Sequence, residues 1–209
     1  MPLSPSHPSW RWILSGAWRF ATVSLLAFSV WAFGGRLFRG IGGEPTMYAA
    51  ITAVFLGLSG WFLGPLAPGP RPIRTFYSLF FPGFLGYAIV WSGLWFAMGF
   101  GLGEWLASLA GSVVFVAIAC WRLRSWTSFW RIASMFFVLH TAGYFAGGWS
   151  MNHFIQLSRH AEGTGLTRRQ WVVVAQLSWG LFYGLGFGAA LGALFHRVQS
   201  SLSNHAENR

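Results

Sequence analysis

The sequence predicts an all-α membrane protein, a polytopic transmembrane helical bundle of about six spans. Composition is the first reason, because 55% of the residues are apolar and only 9% are charged, whereas soluble domains carry about 25% charged residues. The second reason is the presence of six apolar stretches, each long enough to cross a hydrocarbon core of about 30 Å as a helix. The connectors between them are rich in Gly, Pro and Arg, which indicates turns at the membrane surface.

The first three spans are separated by connectors that cannot extend a helix. The first span, Trp12–Phe33, is an apolar run with a basic flank, and the second, Met47–Leu66, follows Glu44. The third, Phe76–Met98, follows the connector Gly64–Arg74, which contains four prolines. Because proline removes a helical hydrogen bond and clashes with the preceding turn, the chain must leave the helix there.

The last three spans begin at polar residues. The fourth, Trp105–Trp121, and the fifth, Ile132–Met151, each follow a charged side chain, and the sixth is Trp171–Phe195. Thr167 and Gln170 precede that final span at the spacing of a capping box, in which two side chains satisfy the unpaired amides of the first turn. The six spans leave no segment for a soluble domain, so residues 1–209 are predicted to form a single integral membrane domain.

The residues at the span ends predict the orientation in the membrane. Most of the 14 Trp residues fall near span ends, as an interfacial aromatic belt requires, and only Trp91 and Trp179 lie well inside a span. More Arg residues lie on the side of the termini than on the other side, which predicts two cytoplasmic termini in a bacterial inner membrane. An alternative is that the first span is a cleaved signal peptide ending near Ala32–Gly35, which would leave five helices.

Missing residue types exclude several kinds of chemistry. All 14 basic residues are Arg and all four acids are Glu, so a lysine Schiff base and an aspartate-rich metal motif are both excluded. Cys120 is the single cysteine, which excludes an internal disulfide, a redox pair and a thiolate zinc site. The net charge of +10 comes from Arg residues scattered between apolar runs, so no nucleic-acid partner is predicted. We predict no cofactor and no metal.

The final span carries a glycine zipper. Four glycines recur every four residues and form a groove on one helix face, along which another helix can approach closely. The groove predicts packing within the chain, with self-association, a partner membrane subunit or a pore lining as alternatives. The residues are Gly180, Gly184, Gly188 and Gly192.

Four polar side chains are candidates for binding an ion, a proton or a substrate: Glu44, Glu104, His140 and His153. His140 lies near the bilayer midplane, where an ionisable group needs a partner and is a functional candidate. A backbone carbonyl or Gln176 could supply that partner without any function. Glu44 and Glu104 stand at predicted helix N-termini, where a carboxylate also offsets the helix dipole.

The sequence therefore predicts a small transporter or channel-like protein, or a subunit of a membrane complex, in contact with the lipid bilayer. The alternative is a membrane-embedded hydrolase. Gly57-Leu-Ser59-Gly60 resembles the GxSG motif of rhomboid intramembrane proteases, and the segment from His140 to Gly147 resembles their HxxGxxxG motif. In rhomboids the two helices are parallel and one span separates them, whereas here two spans intervene and the helices are predicted to be antiparallel. Ser59 and His140 are the catalytic pair that this alternative implies, and no catalytic residue is assigned in the main prediction.

Overall fold

A computed structural model describes residues 7–126, 128–159 and 165–207, which form six long α-helices. A short 3-10 turn, Gly64–Leu66, follows the second helix, and the described ranges contain no β-strand. The prediction of an all-α bundle of membrane-spanning type is confirmed. The helices are α1 (Ser9–Gly40), α2 (Gly43–Leu63), α3 (Pro72–Met98), α4 (Leu102–Leu123), α5 (Phe129–Arg159) and α6 (Arg168–Glu207).

Five of these helices, α1, α2, α3, α4 and α6, are long and apolar enough to cross a membrane. The predicted fifth span, Ile132–Met151, lies in α5, which has 31 residues and is long enough but does not meet the same standard of apolarity. Some of its polar side chains, among them His140, Thr141 and Ser150, are buried, while others, such as Asn152 and His153, are exposed. Buried polar side chains therefore account for part of the lower hydropathy of α5.

Consecutive helices run antiparallel, and the six helices form a closed ring. Each helix packs against its neighbour in the chain, and α6 packs extensively against both α5 and α1. Trp12 near the start of α1 and His196 near the end of α6 have ring centroids 5.9 Å apart. The start of α1 and the end of α6 therefore lie at one end of the bundle, here called the terminal end, and the last turns of α1, α3 and α5 lie at the opposite end. The cytoplasmic location of the terminal end stays a prediction.

A cluster of phenylalanine rings fills the middle of the ring of helices and its terminal half. Phe187 of α6 is fully buried at the centre. Its ring centroid lies 5.2 Å from that of Phe20, 5.2 Å from that of Phe136 and 5.5 Å from that of Phe115. One α6 side chain thus joins α1 through a stacked pair and α4 and α5 through edge-to-face pairs. Aromatic pairs of these two kinds contribute about 0.5–1.5 kcal/mol each beyond burial.

The four regularly spaced glycines of α6 lie against α1 of the same chain. A methyl group at Gly184 would lie 2.6 Å from Cα of Ala21, and one at Gly188 would lie 2.6 Å from Cβ of Phe20. Gly180 and Gly192 meet α1 in the same way, at Phe28 and Trp12 respectively. This glycine face is covered by α1, and self-association of the chain stays a prediction.

The first turn of α6 is closed by the predicted capping pair. The amide of Gln170 donates to Oγ1 of Thr167 at 3.3 Å, and the amide of Thr167 donates to Oε1 of Gln170 at 2.7 Å. Because both side chains satisfy amides that the helix itself leaves unpaired, α6 begins directly after Thr167. The predicted helix start is confirmed.

Candidate functional site

His140 is fully buried in α5 and is hydrogen-bonded to a tyrosine of α3. Its Nε2 atom lies 3.0 Å from the hydroxyl oxygen of Tyr87, and its Nδ1 atom is buried without a hydrogen-bond partner. The suggested partner Gln176 was wrong, since Gln176 lines a surface groove beside Arg39. Tyr87 reaches His140 across the ring of helices, so one pair of polar groups ties α3 to α5 in an apolar interior.

Next to this pair lies a cavity of about 450 Å³, here called the aromatic pocket. It lies in the half of the bundle nearer the opposite end, and its walls come from α1, α3, α5, α6 and the α3–α4 connection. Eight of its ten lining residues are aromatic and none is charged. The volume falls in the range of pockets that bind small molecules. The lining residues are Phe28, Tyr87, Ala88, Trp91, Ser92, Trp95, Phe100, Tyr144, Trp179 and Tyr183.

The rings of the pocket are held in a fixed arrangement by contacts with one another. Trp91 and Trp95, one turn apart on α3, are nearly parallel, with an interplanar angle of 11° and centroids 6.1 Å apart. Tyr144 of α5 meets Trp91 edge-on at 5.6 Å. Phe28 of α1 meets Trp179 of α6 edge-on at 6.0 Å. Rings from four helices therefore support one another, and a ligand would meet preformed aromatic walls.

Glu104 lies outside the aromatic pocket and is hydrogen-bonded to one of its lining residues, Tyr144. One carboxylate oxygen accepts the amide of Gly101 at 3.0 Å, which caps α4, and the other accepts the hydroxyl of Tyr144 at 2.9 Å. The carboxylate of Glu104 therefore caps a helix and also fixes a tyrosine of the pocket, and its role in binding stays a prediction. Its negative charge lies beside a cavity that contains no charge of its own.

The structure separates the other two predicted polar positions from this site. Glu44 is exposed in the first turn of α2, where it lines a groove with Arg39. His153 is exposed on α5 and stacks on Trp149, with centroids 5.6 Å apart. Among the described residues no three His, Cys, Asp or Glu side chains come together as a metal site would require. Only His140 and Glu104 adjoin the aromatic pocket, through Tyr87 and Tyr144.

The hydrolase alternative finds no supporting geometry. Ser59 Oγ donates to the carbonyl of Phe55 at 2.6 Å, whereas Nε2 of His140 is paired with Tyr87. A nucleophile and its base need a direct hydrogen bond or one bridging water. Each of these two side chains has a different partner.

Sequence reasoning missed the tyrosines and tryptophans that build the pocket. Two of them did carry a signal, because Trp91 and Trp179 were the tryptophans placed well inside spans, away from the interfacial belt. A tryptophan at that depth needs space for its large ring and a hydrogen-bond acceptor for its indole N–H group. The indole nitrogens of Trp91, Trp95 and Trp179 are buried without hydrogen-bond partners.

Fold and pocket together define a polytopic, all-α integral membrane protein with a ligand-sized aromatic cavity between its helices. Comparison with protein-family models, curated proteins and solved structures gave no match in any of the three. The chemistry of the pocket is therefore the basis on which a function can be assigned.

Proposed function

We propose that the chain is a small membrane transporter that binds a weakly hydrated organic cation in the aromatic pocket. The observation that carries this proposal is the set of eight aromatic side chains around one cavity of about 450 Å³. The face of an aromatic ring is negative, and a desolvated cation gains about 0.5–2 kcal/mol from each well-placed ring. Tryptophan is the strongest of these partners, and three tryptophans line the cavity.

The charges around the pocket favour a cation over an anion. Within the described part of the chain, no Arg side chain lines the cavity, so an anion would lose its water without gaining a positively charged partner. The carboxylate of Glu104 accepts the hydroxyl of Tyr144, which places a negative charge directly behind one wall. A strongly hydrated metal ion would find no oxygen cage in an aromatic lining, whereas an organic cation keeps only a weak hydration shell.

The shape of the cavity supports a carrier in preference to an open channel. Phe80 and Phe187 are fully buried between the pocket and the terminal end, so the cavity is closed on that side. Ala88, Ser92 and Trp95 are partly exposed along one face of α3. A binding site that is closed toward one end of the bundle fits a carrier that works by alternating access, whereas an open channel would be continuous from end to end.

Equilibrium dialysis of the purified protein in detergent against radiolabelled tetraphenylphosphonium tests the binding site. We expect saturable binding that Trp91→Ala and Trp95→Ala each weaken by about 2- to 30-fold, the range of one cation–π contact. Trp61→Ala is the matched control, because Trp61 is 75% exposed on α2 and lies outside the pocket. Equal loss in Trp61→Ala would show that the probe binds elsewhere.

Two further measurements separate the parts of the proposal. Triphenylphosphine oxide has a similar shape without the charge, so equal affinity for both compounds would refute recognition of a cation. Uptake of ethidium into proteoliposomes that contain DNA tests transport, and we expect Trp91→Ala to slow it while Trp61→Ala does not. Binding without protein-dependent uptake would refute the transporter and favour a subunit of a larger complex.

A further inference from the structure

We propose that a groove between α1 and α6, at the opposite end of the bundle, binds the headgroup of an aminophospholipid such as phosphatidylethanolamine. This site is separate from the aromatic pocket and does not depend on the proposed transport. The groove, here called the interfacial groove, encloses about 330 Å³. Its lining includes Trp31, Phe33, Arg39, Arg169, Val172 and Gln176.

Two arginines make the groove positive. Arg39 lies in the last turn of α1 and Arg169 in the first turn of α6, and both side chains are exposed and line the same cavity. The Nε atom of Arg39 donates to the carbonyl of Gly35 at 3.2 Å, which orients the guanidinium group. Among the residues that the structure describes, no carboxylate lines this groove. Guanidinium groups bind phosphate oxygens in pairs of hydrogen bonds, so a phosphodiester is the matching ligand.

The position of Arg169 increases the attraction for a negative group. The first turn of α6 contains no acidic residue, although the N-terminus of a helix is its positive end. A cation placed there is unfavourable by itself and becomes favourable when an anion binds beside it. The groove therefore combines two side-chain charges with a helix end of the same sign.

The apolar part of the groove favours a lipid over a soluble phosphate. Phe33 and Val172 continue the lining below the arginines, and Trp31 stands beside them. Tryptophan and arginine at the end of a span mark the headgroup level of a bilayer. A phospholipid would place its phosphate between the arginines and its acyl chains along the apolar residues, whereas inorganic phosphate would leave those residues uncovered.

Glu44 determines the kind of headgroup. It lines a second groove that adjoins the first and shares Trp31, Gly35, Arg39 and Gln176 with it. A headgroup with its phosphate at Arg39 and Arg169 can therefore extend its amine toward a carboxylate. The primary ammonium group of phosphatidylethanolamine can donate charge-assisted hydrogen bonds to a carboxylate. The headgroup of phosphatidylglycerol has no positive charge and cannot make this interaction. The two arginines and Glu44 together match a headgroup that carries one charge of each sign.

Native mass spectrometry of the detergent-solubilised protein with added phosphatidylethanolamine or phosphatidylglycerol tests the proposal. We expect preferential retention of phosphatidylethanolamine. The double variant Arg39→Gln/Arg169→Gln should lower its affinity by about 25-fold, because each arginine near a lipid surface contributes about a fivefold factor. Glu44→Gln should remove the preference for phosphatidylethanolamine and leave the binding of phosphatidylglycerol unchanged.

Arg159→Gln is the matched control, because Arg159 is exposed in the last turn of α5 and does not line the groove. Equal lipid retention in this control and in the double variant would overturn the site. Competition by water-soluble glycerophosphoethanolamine at the same concentration as the lipid would overturn the role of the acyl chains. An unchanged lipid preference in Glu44→Gln would overturn the assignment to an aminophospholipid.

Discussion

The contact between α5 and α6 allows a prediction about a single methyl group. Gly143 and Gly186 face each other, and a methyl group on Gly186 would lie 2.6 Å from the carbonyl oxygen of Leu139 and 2.7 Å from Cα of Gly143. Both neighbours are backbone atoms, which cannot move aside as a flexible side chain can. Ordinary contacts between heavy atoms begin at about 3.5 Å, so Gly186→Ala must push the two helices apart by about 1 Å.

The magnitude follows from comparing two alanine substitutions. Overpacking a close contact costs about 1–3 kcal/mol, while replacing glycine by alanine within a helix contributes about 0.5–1 kcal/mol in the stabilising direction. Gly148→Ala on α5 has only the second effect, because nothing lies within 4 Å of the added methyl group. The difference between the two variants therefore isolates packing, and we expect Gly186→Ala to be less stable than Gly148→Ala by about 1–3 kcal/mol.

Reversible unfolding in mixed micelles, with dodecyl sulfate as denaturant and circular dichroism as readout, measures this difference. The two proteins carry the same chemical change in helices that touch, so effects on the unfolded state are matched. Equal free energies of unfolding, within about 0.5 kcal/mol, would contradict the close approach of α5 and α6.

Three further outcomes are expected. Tyr87→Phe should lower the free energy of unfolding by about 1–3 kcal/mol in the same assay, because it leaves a buried ring nitrogen of His140 unpaired. Adding His140→Phe should restore most of this loss. If the effects of the two substitutions were additive, the pairing of Tyr87 with His140 would be contradicted. Gly188→Leu should lower the thermal unfolding temperature of the isolated chain, because the glycine face of α6 packs against α1. If the unfolding temperature stayed the same and the oligomer bands on a blue-native gel changed, the glycines would instead lie between chains. Cys120 is 1% exposed and should react with N-ethylmaleimide only after denaturation, as mass spectrometry of the folded and unfolded chain would show.

The order and type of the helices could be predicted because the signals are local. An apolar run of about 20 residues and a connector with four prolines each determine structure within their own segment. The ends of the helices were predicted less accurately. The first span was predicted to end at Phe33, but α1 continues to Gly40, because a helix does not stop where the hydrocarbon ends.

The candidate site could be predicted only in part. His140 and Glu104 were found because a polar group in an apolar segment is visible in the sequence. Tyr87 was missed as the partner of His140, because their contact depends on how α3 and α5 are rotated about their axes. In a soluble protein the apolar stripe of a helix shows which face is buried. In a membrane, both the lipid and the protein interior accept apolar side chains, so the sequence does not show which face of a helix is buried.

The place of α6 in the ring has a consequence for biosynthesis. This helix fills the space between α1 and α5 and supplies Phe187 at the centre, yet it is translated after the other five. Until it enters the bilayer, Gly16 and Ser24 of α1 lack the surface that covers them in the finished protein. A chain that lacks α6 would therefore leave this face of α1 uncovered, and we expect cellular proteases to degrade it faster than the chain that contains α6. Insertion of α6 is therefore the step that covers this face of α1.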